Sequence, residues 1–257
     1  MKIVLVGSGN LAVHLGPALI NAGHIVVQVV GRSEESASKL AAKLNCNFTI
    51  SAQEISTKAD VYILALRDEA IANYAKLIPK TEKLILHTSG TVSISVLKPA
   101  SSNFGCLYPL QTFSRNRKIK FSSVPICLEA GSKKASGQLE KLAKSLSKNI
   151  HWIPEDKRNT LHLAAVFANN FSNHLYVIAE ELLNKKGLEF ELLRPLIAET
   201  ASKIINNHPH NMQTGPARRG DTGTINKHLA LLKNKDQIRK IYEILSNSIL
   251  NHDGPRL

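Results

Sequence analysis

The feature that most constrains this chain is a glycine turn close to its start, where Ile3, Val4, Leu5 and Val6 run into Gly7-Ser8-Gly9-Asn10-Leu11-Ala12. An apolar, β-preferring run without polar alternation suits a strand inside a parallel sheet, where helices cover both faces. Gly7, Gly9 and Ala12 then fall at the spacing G-x-G-x-x-[GA]. The first glycine makes a tight turn, the second lets backbone approach a pyrophosphate, and the third, small residue lets helix and strand pack closely. Leu11, Leu15, Ala18, Leu19 and Ala22 follow at spacings of three and four, which makes one apolar helical face. The free N–H groups and positive dipole end of that helix would face phosphates, so Ser8, Asn10 and Leu11 join the glycines as expected binding positions. Pro17 removes one donor from the helix and predicts a bend. The alternative is a turn of the same build that binds nothing.

The nucleotide is chosen at the end of the next strand, expected over residues 25–30. A carboxylate there would take the ribose 2′-hydroxyl of NAD, but the chain reads Gly31-Arg32-Ser33, with Arg32 twenty residues past Ala12. A guanidinium can pair bidentately with a 2′-phosphate and Ser33 can donate one more hydrogen bond, so the expected cofactor is NADP. Alternatively, Arg32 is a surface charge and Ser33 only caps the helix bearing Glu34 and Glu35.

Strand and helix patterns alternate as far as residue 153. Expected strands cover residues 47–50, 61–66, 84–86, 103–107, 124–128 and 150–153, with helices around 37–44, 71–77 and 133–146. Leu66-Arg67 and Ser89-Gly90 follow strands and so belong to the ligand edge of the sheet. Beyond Pro154 the pattern is helical: one long helix over residues 161–183 ended by Gly187, a second over 192–205, a loop over 208–223 and two more helices. The expected division is a nucleotide-binding domain at 1–153 and a helical substrate and dimerisation domain at 154–257.

At 257 residues and 28.2 kDa, two domains of ordinary size fit. No apolar run approaches a membrane span, and a cytoplasmic protein is expected. Cys46, Cys106 and Cys127 have no C-x-x-C spacing, so neither a disulfide framework nor a zinc site is read from them, and no metal is expected. The net charge of +13 invites a nucleic-acid reading. The cations are instead spread in short groups, and aromatic residues at 5% are poor material for base stacking. A basic surface attracting anionic ligands is the more economical reading.

Several stretches read together as one family: VLVGSGNLA, the HTSG turn at residues 87–90, YPLQTFS at 108–114, HLAAVFANNFSNHLY at 162–176 and QTGPARRGD at 213–221. Across nearly its whole length the chain resembles the NADP oxidoreductases that join a Rossmann-like domain to a helical C-terminal domain of unknown function. More distantly it looks like pyrroline-carboxylate reductases, deazaflavin-dependent NADP reductases and prephenate or hydroxyacid dehydrogenases. The resemblance implies an α/β fold with a Rossmann-type parallel sheet, then an all-α domain like the C-terminal domain of 6-phosphogluconate dehydrogenase, with NADP as cofactor. One departure matters: hydroxyacid dehydrogenases of this superfamily carry a Lys four residues before an Asn, and here Ala165 and Val166 precede Asn169 and Asn170 at that spacing.

Hydride transfer asks the protein to hold the nicotinamide near a carbonyl or imine carbon and to supply a proton. Residues 162, 166, 170 and 174 lie four apart on the expected long helix, which would put His162, Asn170 and His174 on one face. His162 and Asn170 are the catalytic candidates, and the alternative is that they are ordinary polar residues of the helix. Tyr108, Gln111, His174, Arg219 and Asp221 are candidate substrate ligands, although Asp221 could simply cap the helix after it. The expected function is an NADP-dependent oxidoreductase acting on a small polar metabolite, an imine or oxo acid, in a homodimer. A non-catalytic NADP-binding sensor or scaffold is the alternative, favoured by the missing Lys.

Overall fold

Successive side chains of a strand point to opposite faces of its sheet, and β1 (Lys2–Val6) buries both sets. Ile3 and Leu5 join one apolar cluster, while Val4 and Val6 join another on the opposite face. The computed structural model describes residues 1–253, with side chains to residue 251. By contacts the chain separates into two units, Met1–Asn170 and Phe171–Leu257. Helix α5, which follows Pro154, belongs with the sheet in the first of these.

The first unit alternates β1, α1 (Asn10–Asn21), β2 (Ile25–Val30), α2 (Glu34–Leu44), β3 (Asn47–Thr49), β4 (Val61–Leu64), α3 (Asp68–Ala75) and β5 (Leu84–His87). It continues with β6 (Phe104–Pro109), β7 (Ile126–Ala130), α4 (Lys133–Leu146), β8 (Ile150–Trp152) and α5 (Glu155–Ala165). The eight strands form one sheet in the order β3-β2-β1-β4-β5-β6-β7-β8. All neighbours are parallel except β6 and β7. A parallel pair needs a crossover, usually a helix, and residues 110–125 offer only one short turn, Phe121–Ser123, so the chain doubles back instead. Pro109 pairs with Ile126, so this loop lies at the carboxyl edge of the parallel strands. Helix α1 runs through Pro17 without interruption.

The helical stretch after Pro154 differs from the single regular helix expected. Helix α5 passes at Val166–Phe171 into a π turn and resumes as α6 (Ser172–Asn184). Val, Phe and Asn rank low in helix propensity, and the six residues of this turn are VFANNF. A π turn bonds i to i+5, so the backbone between Val166 and Phe171 is wound wider than the regular helix that the spacing of His162, Asn170 and His174 assumed. The second unit then holds α7 (Arg194–Asn206), the short α8 (Pro209–Met212), α9 (Thr222–Leu231) and α10 (Asp236–Asp253). Gly187 ends the α6 run at φ +67, where glycine carries no Cβ penalty. Among the described residues, no helix is long and apolar enough to cross a membrane.

Candidate functional site

The order of the sheet sets a switch point between β1 and β4, because the chain leaves β1 toward β2 and β3 and returns on the other side. Open α/β sheets bind ligands at such a point, beyond the carboxyl ends of the strands. Gly7 sits there with φ +119, and a Cβ on it would lie 2.2 Å from the Ala65 carbonyl oxygen. No other residue type fits. Leu66, half-buried, packs on the same corner, whereas Arg67 is exposed and paired with Glu69 at 3.0 Å. Gly9 is the opposite case: nothing lies within 4 Å of where its Cβ would be. Ala12 is fully buried in the core behind the turn.

Helix α1 starts after Gly9 with no side-chain cap and no carboxylate in its first turn, which holds Asn10 and Leu11. Among the described residues, its first N–H groups therefore have no side-chain acceptor. Helix α2, by contrast, is capped by Ser33, whose Oγ accepts from the Ser36 N–H, and has Glu34 and Glu35 in its first turn. Ser36 also ties α2 to the glycine turn, its Oγ lying 2.7 Å from Ser8 Oγ and 2.8 Å from Ser33 Oγ. Arg32 is exposed beside this serine group. On the far side of the turn, Arg115 donates from Nη2 to the Ser8 carbonyl at 3.3 Å.

The turn after β5 forms the second half of the edge. Ser89 Oγ accepts from the N–H groups of Thr91 and Val92, both at 3.0 Å, and so closes the loop on itself. Gly90 leaves room that two side chains fill: a Cβ there would lie 2.6 Å from His162 Nδ1 and 3.0 Å from Tyr108 Cζ. Those side chains meet, with Tyr108 Oη 3.2 Å from His162 Nδ1. Burial pushes the Tyr108 phenol up to about 12, so it keeps its proton. His87 beneath the turn is fully buried and accepts from the Ser89 N–H through Nδ1 at 3.2 Å.

The helix bearing His162 is held by a buried guanidinium one turn earlier. Arg158 has a fully buried side chain that donates from Nη1 to the Ser89 carbonyl at 3.1 Å and from Nη2 to the Val92 carbonyl at 2.9 Å. Nη2 also lies 2.9 Å from Glu129 Oε2. Sequence reasoning missed Arg158, Glu129, Ser36 and Arg115. Two signals were available: Arg158 precedes His162 by one helical turn, and Glu129 is the one charge in an otherwise apolar strand.

The remaining candidates make other contacts, are exposed or belong to the second unit. Gln111 is exposed, and its Oε1 accepts from the Thr112 N–H at 2.8 Å. Asn170 is exposed within the π turn. His174, Arg219 and Asp221 belong to the second unit. Asp221 caps α9, accepting from Thr224 N–H at 2.9 Å and Thr224 Oγ1 at 2.7 Å, and these bonds hold its carboxyl below the usual range. Cys46, Cys106 and Cys127 are free thiols; Cys106 and Cys127 are buried and Cys46 half-buried.

A family profile described as "NADP oxidoreductase coenzyme F420-dependent" matches residues 2–96, and a domain of unknown function, DUF2520, matches residues 124–249. The chain is 40% identical to a solved candidate NADP oxidoreductase from Bacteroides fragilis, over 97% of this chain and 98% of that one, at a TM-score of 0.92. The chain belongs to this NADP oxidoreductase family. A pyrroline-5-carboxylate reductase from Streptococcus pyogenes shares the fold at 17% identity, over 98% of each chain, with a TM-score of 0.63. An imine reductase from Myxococcus stipitatus, solved with NADP+, does so at 14% identity, over 98% of this chain and 92% of that one, with a TM-score of 0.64. No curated protein matches the chain.

The residues of this family member fit the family's cofactor. The collision that excludes a side chain from Gly7, the open space over Gly9 and the uncapped start of α1 leave backbone exposed in the way that a pyrophosphate would need. The turn after β5 carries Ser89 and Gly90 at the same strand edge.

His87 provides a pH test of that turn. Burial, with the Arg158 charge adding, lowers His87 from 6.5 to about 3. The folded value lies below the unfolded one, so protonation favours the unfolded chain. The stability carried by the neutral ring is complete above about pH 6.5 and is lost as the pH falls toward the folded value. Urea unfolding between about pH 6.5 and 4.5 is expected to show a loss from this group approaching 1.4 kcal/mol per pH unit. His87→Asn should flatten the slope, and a variant with the parent's slope would contradict the assignment.

Proposed function

We propose that this chain is a reductase that uses NADPH to reduce a small polar metabolite, an imine or an oxo acid. The observation carrying this reading is the Tyr108–His162 pair, 3.2 Å apart and packed on Gly90. It lies beside the turn after β5, on the edge where such sheets take ligands. Bound NADPH supplies the hydride. The protein gives a proton to the substrate nitrogen or oxygen as hydride reaches the adjacent carbon, so the π pair of the double bond becomes the new N–H or O–H bond.

His162 is the proposed donor. In its imidazolium form, Nδ1–H donates to the Tyr108 hydroxyl oxygen and Nε2–H is the proton delivered. Tyr108 keeps its own proton and so orients the ring without competing for it. Asn170 is proposed to hydrogen-bond the substrate. The fold likeness to imine and pyrroline-carboxylate reductases is in keeping with the imine alternative. NADP is preferred to NAD on the strength of Arg32, which is exposed and has no partner among the described residues. Three free thiols suit a reducing compartment such as the cytoplasm.

The reading includes a homodimer made through the helical unit. Of its residues with described side chains, only Ala217 and Leu232 are buried, while Leu192, Leu196, Ile205 and Ile244 are each more than 60% exposed. So much apolar surface marks an interaction face, and a second copy covers it symmetrically.

Three outcomes test these statements. NADPH should bind about tenfold or more tightly than NADH, since a lost guanidinium–phosphate bond is worth roughly 1.5–3 kcal/mol. Fluorescence titration should find most of that gap gone in Arg32→Ala, and equal affinities in the parent would sink the assignment. With a panel of imines and oxo acids, NADPH absorbance should fall, and His162→Ala should lower kcat about a hundredfold while cofactor affinity and Tm hold. A panel that leaves NADPH untouched supports the sensor or scaffold reading. Sedimentation velocity at micromolar concentration should give a species of about twice the 28.2 kDa chain mass; monomer alone would count against the dimer.

A further inference from the structure

A cleft of about 820 Å³ runs along the flank of α1, walled by residues of α1, α2 and α4 and by the loop between β6 and β7. Among the described residues, five cations line it, Lys43, Arg115, Arg117, Lys118 and Lys120, and no carboxylate does. None of the five has an ion-pair partner among the described residues. Elsewhere the chain balances such charges locally, as in Lys144–Glu140 at 2.7 Å and Lys203–Glu199 at 3.6 Å. Like charges converging on a recess repel one another, and low-dielectric walls focus their field, so an anion is the missing component.

The loop carrying four of these cations is built in. At its start His14 Nε2 meets the Ser114 carbonyl at 3.0 Å and the Phe113 ring lies 5.5 Å from that of His14. At its end Phe121 is buried and the Ser122 carbonyl accepts from Ser147 Oγ at 3.2 Å. The electropositive field extends past the cleft wall. His24, with Nε2 2.8 Å from Ser145 Oγ, is held below the usual range by burial, with the N-terminal ammonium and Lys141 adding.

The cleft also extends beyond the cofactor turn. Its lining reaches Asn21 and Ala22 at the C-terminal end of α1, roughly 16–18 Å from the helix start at 1.5 Å per residue. Its volume suits a small molecule. Phe121 of its lining is buried and the His14 ring packs on Phe113, which is a poor platform for stacking nucleic-acid bases.

We propose that this cleft, which meets the cofactor's glycine turn through Arg115 and runs away from it along α1, binds a compact, multiply phosphorylated small molecule alongside the cofactor. The test is calorimetry on the full chain with inorganic tripolyphosphate as probe, alone and with saturating NADPH. One site per chain is expected in both conditions. Arg117→Gln/Lys118→Gln should weaken it about tenfold or more, the cost of losing one charge-assisted bond or more. A second variant, Lys43→Gln, reports from α2 rather than from the loop and should weaken binding in the same direction. Lys80→Gln/Lys98→Gln removes the same net charge from exposed positions outside the cleft and should leave binding unchanged. Melting temperatures of all variants identify any that fail to fold. The proposal is overturned if NADPH competes with tripolyphosphate, if the outlying variant weakens binding as much as the cleft variants, if no binding is seen, or if a short RNA binds the cleft more tightly than the probe.

Discussion

A single buried guanidinium connects the parts of the first unit that bear on chemistry. Arg158 reaches from α5 to the Ser89 and Val92 carbonyls of the turn after β5 and to Glu129 of β7. Placing a charge where no water reaches it costs several kcal/mol, recovered only when good geometry satisfies its donors. Here two carbonyls and a carboxylate meet Nη1 and Nη2, while Nε has no partner among the described residues. The bonds hold a loop in place rather than merely filling a core. They fix the Ser89-Gly90 backbone, and they hold the helix whose next turn presents His162 to Tyr108. The same charge acts with burial to keep His87 neutral beneath the turn.

The glycine turn and the serine group beside it are organised on a different principle, by what is absent. Gly7 is there because the Ala65 carbonyl leaves no space for a Cβ, and Gly9 because that approach stays open. The first turn of α1 lacks both cap and carboxylate, whereas α2 next to it has both. Neighbouring helix starts thus differ: α1 leaves its first N–H groups without a side-chain partner, while α2 is capped by its own Ser33. Ser36 and Arg115 brace the turn from either side.

The antiparallel return of β7 gives this sheet a feature that regular alternation would not. Without a crossover helix, residues 110–125 remain at the carboxyl edge. That brings a basic loop up to the Ser8 carbonyl and lets it form one wall of the cation-lined cleft. Length and sign of charge were visible in the sequence. Their destination depended on a strand pairing that no local pattern specifies.

What the sequence determined by itself was whatever depends on neighbours along the chain. The apolar runs of β1, β4 and β5, the helical faces of α1, α2 and α4, the Gly7 and Gly9 positions and the Ser33 and Asp221 caps all follow from periodicity, propensity or steric need within a few residues. The π turn at Val166–Phe171 escaped such reading, because the low helix propensity of its residues does not say whether a helix ends, kinks or widens. Tertiary structure alone decided which polar groups meet. Arg158 finds Glu129, Val92 and Ser89 at separations of 29, 66 and 69 residues, and Tyr108 finds His162 at 54. Such partners are selected by the need to satisfy every donor taken out of water. That requirement acts on atoms close in space and leaves no period in the chain.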